Sequence, residues 1–99
     1  MYRIKISNLA LTDLEIIRQF GILTFGYEQA DIYEEGLKKE ISTIQNMPSI
    51  GHRSKYLSND YFIRPFKSHY IIFSFNEELK EIVIVRIVHQ KIDLGEVEK

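Results

Sequence analysis

Residues 81–88, EIVIVRIV, hold Val or Ile at six of eight positions. A strand with one wet face alternates apolar and polar side chains, so a run without alternation predicts a strand covered on both faces. HYIIFSF (69–75) has the same character, and the five residues NEELK (76–80) between the two suit a hairpin. YFIRPF (61–66) reads as a third strand, which Pro65 confines to an edge or a bulge. Arg86 stands inside the aliphatic run, where an unpaired charge is costly, so it needs a carboxylate or a route to water. Glu15, Glu40 and Asp93 are the candidate partners.

The cover for this sheet must come from the first half of the chain. YRIKI (2–6) alternates apolar and basic residues, the period of a half-buried strand. Ser7 or Asn8 then offers an N-cap oxygen. Ala10, Leu14, Ile17, Gly21 and Thr24 recur at helical spacing, flanked by Ile16, Phe20 and Leu23, which predicts an amphipathic helix ending at Gly26. Ala30, Tyr33, Leu37, Ile41 and Ile44 form the stripe of a second helix over 28–46, with Glu34–Lys38 and Glu35–Lys39 on its wet side. Two helices with almost no linker fold back as a hairpin. Gly36 inside the second helix costs about 1 kcal/mol relative to alanine, which a close approach of the two helix backbones would explain. Pro48 ends that helix, residues 52–60 form a polar connection, and DLGEVEK is a polar, acidic tail. The order is β-α-α-β-β-β: an α+β domain in which a helical hairpin packs on a small antiparallel sheet.

Ninety-nine residues make one domain, 1–99, without internal repeats or low-complexity tracts. The absence of cysteine excludes disulfides, thiolate nucleophiles and thiolate metal sites. MYRIKISNL lacks a signal-peptide apolar core, and no run approaches the ~20 apolar residues of a membrane span, so a cytoplasmic protein without membrane contact is expected. His52, His69 and His89 lack metal-ligand spacing; neither metal nor cofactor is expected. Net charge is −1, although residues 51–75 carry four cations against one anion. That balance argues against direct sequence-specific nucleic-acid binding and leaves room for a local basic contact.

Five pieces, in order, resemble a known group. TDLEII (12–17) after Ala10, YEQADIYEEGL (27–37), MPSIGHRS (47–54), IRPFKSHYIIFSF (63–75) and IVRIVHQKIDL (84–94) are similar to the helices, helix exit and two strands of RelE/ParE-superfamily toxins from type II toxin–antitoxin systems, closest to the ParE branch. The resemblance implies one of two activities. RelE-like members are ribosome-dependent endoribonucleases whose sheet carries basic residues and whose C-terminal segment carries a tyrosine or histidine. ParE-like members share the fold, lack that site and poison DNA gyrase. Here Ile71 follows Tyr70 where the nuclease branch places arginine, and no tyrosine occurs after residue 70. Gln90, Lys91, Ile92 and Asp93 follow His89 where ParE-like chains commonly read H-x-x-R-D, so Lys91 is the candidate substitute for that arginine.

The reading favoured by these residues is a gyrase inhibitor without a catalytic site of its own, neutralised by a cognate ParD-like antitoxin. Its rivals are a ribosome-dependent mRNA interferase and a non-toxic antitoxin-binding module. Arg64, Lys67, His69, Arg86, His89, Lys91 and Asp93 are the target-binding candidates, with a structural ion pair as the preferred role for Arg86. Leu14, Phe20, Leu23 and Phe25 are the antitoxin-binding candidates, because they widen the first helix's apolar face beyond what a thin sheet covers. A homodimer or a hetero-oligomer with the antitoxin is compatible with such a surface.

Overall fold

The computed structural model describes residues 1–58, 60–92 and 94–97. Strand β1 spans Arg3–Ile6 and runs directly into helix α1, Asn8–Phe25. Ser7 makes that junction: its hydroxyl oxygen accepts the Ala10 N–H at 3.0 Å, capping α1, and donates to the Val85 carbonyl at 2.7 Å. Gly26 alone separates α1 from helix α2, Tyr27–Asn46, at a φ of 91° that side chains resist. The helices therefore fold back on each other, in contact where a Cβ on Gly21 would lie 3.4 Å from that of Ala30. Gly36 has a different reason from the expected one. A Cβ there would come within 2.6 Å of the Phe66 ring, so the glycine makes room for a strand side chain and not for the other helix.

Strands β2 (Phe62–Phe66), β3 (His69–Asn76) and β4 (Glu81–His89) complete a four-stranded sheet in the order β1-β4-β3-β2. The hairpin-linked strands are antiparallel, as expected, and the helical hairpin packs on them. The first strand makes the sheet mixed: β1 lies parallel to β4, with Arg3 opposite Glu81 and Ile6 opposite Ile84. Parallel neighbours need a long connection, and the one from β1 to β4 runs through both helices and the β2–β3 hairpin.

The unbroken aliphatic runs are explained by two cores, one on each side of the sheet. On the helix side, Leu37, Ile41 and Ile44 of α2 pack on Ile71, Phe73, Ile82, Ile84 and Ile87. On the opposite side, Ile63, Ile72 and Val88 lie beneath Leu57 from the 52–60 connection, with Leu94 and Val97 closing over them. A bulge reconciles the strands with these cores. Ile72 faces Arg86 but Phe73 faces Ile84, so β4 holds one extra residue, Val85. The extra residue keeps Ile84 and Ile87 both on the helix side, and it frees Arg86 from strict alternation.

Candidate functional site

Strand β1 stops at Ile6, leaving the far half of the β4 edge without a strand neighbour. Asp13 of α1 fills that position. Its Oδ2 accepts the Ile87 N–H at 2.9 Å and Arg86 Nε at 2.7 Å, while Oδ1 accepts Arg86 Nη2 at 3.0 Å. The carboxylate is buried, so these charge-assisted bonds act with little screening. They hold the guanidinium pKa above its ordinary value, against the opposing effect of burial. Arg86 is thus ion-paired as expected, but not with the expected residues: Glu15 is exposed on α1, Glu40 is bonded elsewhere, and Asp93 lies outside the described residues. Glu40 of α2 instead binds Arg64 Nε on β2. Arg64 of β2 and Arg86 of β4 are therefore each neutralised by a helix carboxylate.

The other candidates gather at one end of the sheet. His69 and His89 are cross-strand partners, with ring centroids 5.3 Å apart. The Tyr33 hydroxyl lies 2.6 Å from His69 Nδ1 and accepts the Ser68 N–H at 3.3 Å. His89 Nδ1 accepts the Lys91 N–H at 3.1 Å. Gln90 fastens the β2–β3 turn to this end, donating through Nε2 to the Lys67 carbonyl at 2.7 Å and the His69 carbonyl at 3.1 Å. Burial, and then the nearby His89, push the His69 pKa below that of a free imidazole. Lys67 holds a left-handed turn conformation, φ 49°, with its Nζ 5.9 Å from the Tyr33 ring. Tyr33, His69 and His89 border a groove of about 600 Å³ whose other wall is the tip of the helical hairpin, including Phe20 and Phe25. Neither Arg64, Arg86 nor Lys91 lines it.

A family model described as the ParE toxin of type II toxin–antitoxin systems, parDE, matches residues 4–94. The chain belongs to the ParE toxin family. No functionally curated relative matches it. Among solved structures, it resembles a chain of the chromosomal ParDE system of P. aeruginosa, with TM-score 0.77, 20% identity, and coverage of 90% of this chain and 96% of that one. It also resembles a chain of the RelBE2 toxin–antitoxin complex of Mycobacterium tuberculosis, with TM-score 0.61, 15% identity, and coverage of 90% and 98% respectively. At such identities the likeness is one of fold.

In this ParE-family chain the four α1 candidates divide. Phe20, Leu23 and Phe25 are 62%, 85% and 66% exposed, whereas Leu14 is half-buried and packs on the helix-side core. Ile16, Tyr27 and Ile32 are exposed apolar residues of the same hairpin; Ile16 was read only as a flank of the α1 stripe and the other two were not singled out, because a broad stripe does not say which of its edges finds a cover. Asp13 and Tyr33 were also missed as interacting residues. Asp13 did carry a signal: a carboxylate three residues after Ala10 and four before Ile17 sits on the face that must be buried. Among the described residues no three His, Asp or Glu side chains gather as metal ligands, and no helix is long and apolar enough to cross a membrane.

Proposed function

We propose that this ParE-family toxin inhibits DNA gyrase in the cytoplasm and is neutralised by a ParD-like antitoxin that covers the exposed face of the helical hairpin. One observation supports the gyrase reading over RNA cleavage: Arg64 and Arg86 are each consumed by a helix carboxylate. Cleavage at a ribose hydroxyl needs cations aimed at the charge developing on phosphate, and a guanidinium already bonded to a carboxylate serves that role poorly. Lys67, His89 and Lys91 remain exposed near the end of β3 and β4, and they are the residues assigned to the target contact. Antitoxin capture is supported by the apolar surface through Phe20, Leu23 and Phe25, which water otherwise covers.

The test is a supercoiling assay with purified gyrase. Micromolar toxin blocks supercoiling or traps cleaved DNA, and the Lys67→Ala/Lys91→Ala double variant weakens the effect about tenfold or more, the loss of two contact charges at ~1 kcal/mol each. No inhibition, together with codon-phased cuts in toeprints of translating ribosomes, gives the assignment to the nuclease.

A further inference from the structure

The groove between the hairpin tip and the end of β3–β4 is apolar along α1, where Ile16, Phe20 and Phe25 line it, and polar where Tyr33, His69 and His89 meet. The hydrogen bonds around the two imidazoles constrain His89 more than His69. Ser68 N–H donates to the Tyr33 oxygen, so the phenol proton is available to His69 Nδ1; the Lys91 N–H occupies His89 Nδ1. A neutral imidazole that accepts at Nδ1 carries its proton at Nε2. His89 thus has an Nε2–H donor left over, His69 has one whenever Tyr33 donates to its Nδ1, and the two rings stand side by side on paired strands.

We propose that this groove receives a protein segment presenting a large apolar side chain with a carboxylate beside it. The apolar group fills the space against Ile16, Phe20 and Phe25, and the carboxylate accepts from His69 and His89. The inference builds on the reading of this chain as an antitoxin-bound toxin and specifies the chemistry the antitoxin brings. A segment fits better than a free small acid because the same helical hairpin carries further exposed apolar side chains outside the groove, Leu23 on α1 and Tyr27 and Ile32 on α2.

The charges around the site favour an anion. From α1 come Asp13, held by Arg86 of β4, and Arg18, held by Asp31 and Glu34 of α2. Lys67 from the β2–β3 turn, its Nζ 5.9 Å from the Tyr33 ring, adds positive charge, and Lys91 after β4 adds more from outside the groove. His69 can take a second proton without losing a partner, because with Nδ1 protonated the Tyr33 oxygen accepts instead of donating. His69 is the group that couples binding to protons, and a carboxylate opposite it favours the imidazolium. Binding tightens as pH falls, because the bound state holds the proton more firmly than the free state.

The experiment follows the histidine ring and Tyr33 signals by NMR while 3-phenylpropionate, or its neutral amide, is added at millimolar concentration. The acid is expected to shift both histidines, to bind about fivefold tighter than the amide, and to gain about fivefold in affinity from pH 8 to pH 6. His69→Gln, confirmed folded by its thermal melt, keeps an N–H donor and loses the pH dependence. Absence of shifts, equal binding of acid and amide, or a flat pH profile overturns the inference. A second arm uses the antitoxin encoded beside the toxin gene. Failure to form a complex at any pH removes the toxin–antitoxin reading, whereas tight, pH-independent capture removes only the carboxylate assignment.

Discussion

Replacing Asp13 tests how the upper half of the sheet is held to α1. The side chain makes three bonds: two to the Arg86 guanidinium and one from the Ile87 N–H. Removing one partner of a buried ion pair costs about 3–5 kcal/mol. Arg86 keeps 24% of its side chain in solvent, which screens the orphaned charge and lowers the estimate to about 2–4 kcal/mol. Alanine also strands the Ile87 N–H on a β4 edge that no strand covers, adding ~1 kcal/mol or more. Asp13→Ala should then lose about 3–5 kcal/mol, a large share of the ~5–15 kcal/mol that holds a typical domain. Asp13→Asn keeps an oxygen for the N–H and should lose about 2–3 kcal/mol. Urea denaturation followed by circular dichroism reads both losses as midpoint shifts at constant slope. A cycle with Arg86→Gln isolates the pair, and the two substitutions should be far from additive. If Asp13→Ala costs less than about 1 kcal/mol, or if the cycle is additive, the pair does not anchor the helix to the sheet.

Four further outcomes are expected. His69 sits below its ordinary pKa through burial and the neighbouring His89, so the unfolded chain takes the proton first as pH drops; stability is full above pH ~6.5 and declines toward the folded value, and urea titrations of His69→Gln between pH 7.5 and 5.5 show a shallower decline. A Cβ at Gly51 would lie 2.5 Å from the ring of the fully buried Phe73 and 2.9 Å from the Phe62 Cβ, so Gly51→Ala costs about 2–3 kcal/mol in thermal or urea melts. Gly36→Ala stays within about 1 kcal/mol of wild type, since better helix propensity offsets pressure on the Phe66 ring tip. Leu23→Glu leaves stability within about 0.5 kcal/mol but breaks antitoxin capture in a pull-down, while Leu14→Ala costs about 1–3 kcal/mol through the core and leaves capture in place.

The sequence by itself determined the elements and their order. Gly26 and a cap at Ser7 or Asn8, of which the structure uses Ser7, mark the ends of α1 because a side-chain cap and a positive-φ glycine act within a few residues. The α2 stripe is equally local: Ala30, Leu37, Ile41 and Ile44 recur with the helical repeat, and all four are buried. The missing alternation in β3 and β4 also carried its meaning, since only a sheet covered on both faces tolerates it. Tertiary structure alone decided the partners. Asp13 and Arg86 are 73 residues apart, and which carboxylate reaches the guanidinium depends on how α1 crosses the β4 edge and on the bulge at Val85. Glu40 pairs with Arg64, and Gly36 yields to Phe66, for the same kind of reason. The parallel placement of β1, the Tyr33–His69–His89 groove and the exposure of Phe20 but not Leu14 likewise follow from where whole elements come to rest. Residue spacing encodes what a segment does to itself; the angle at which two distant segments meet is set by the packing of every side chain between them.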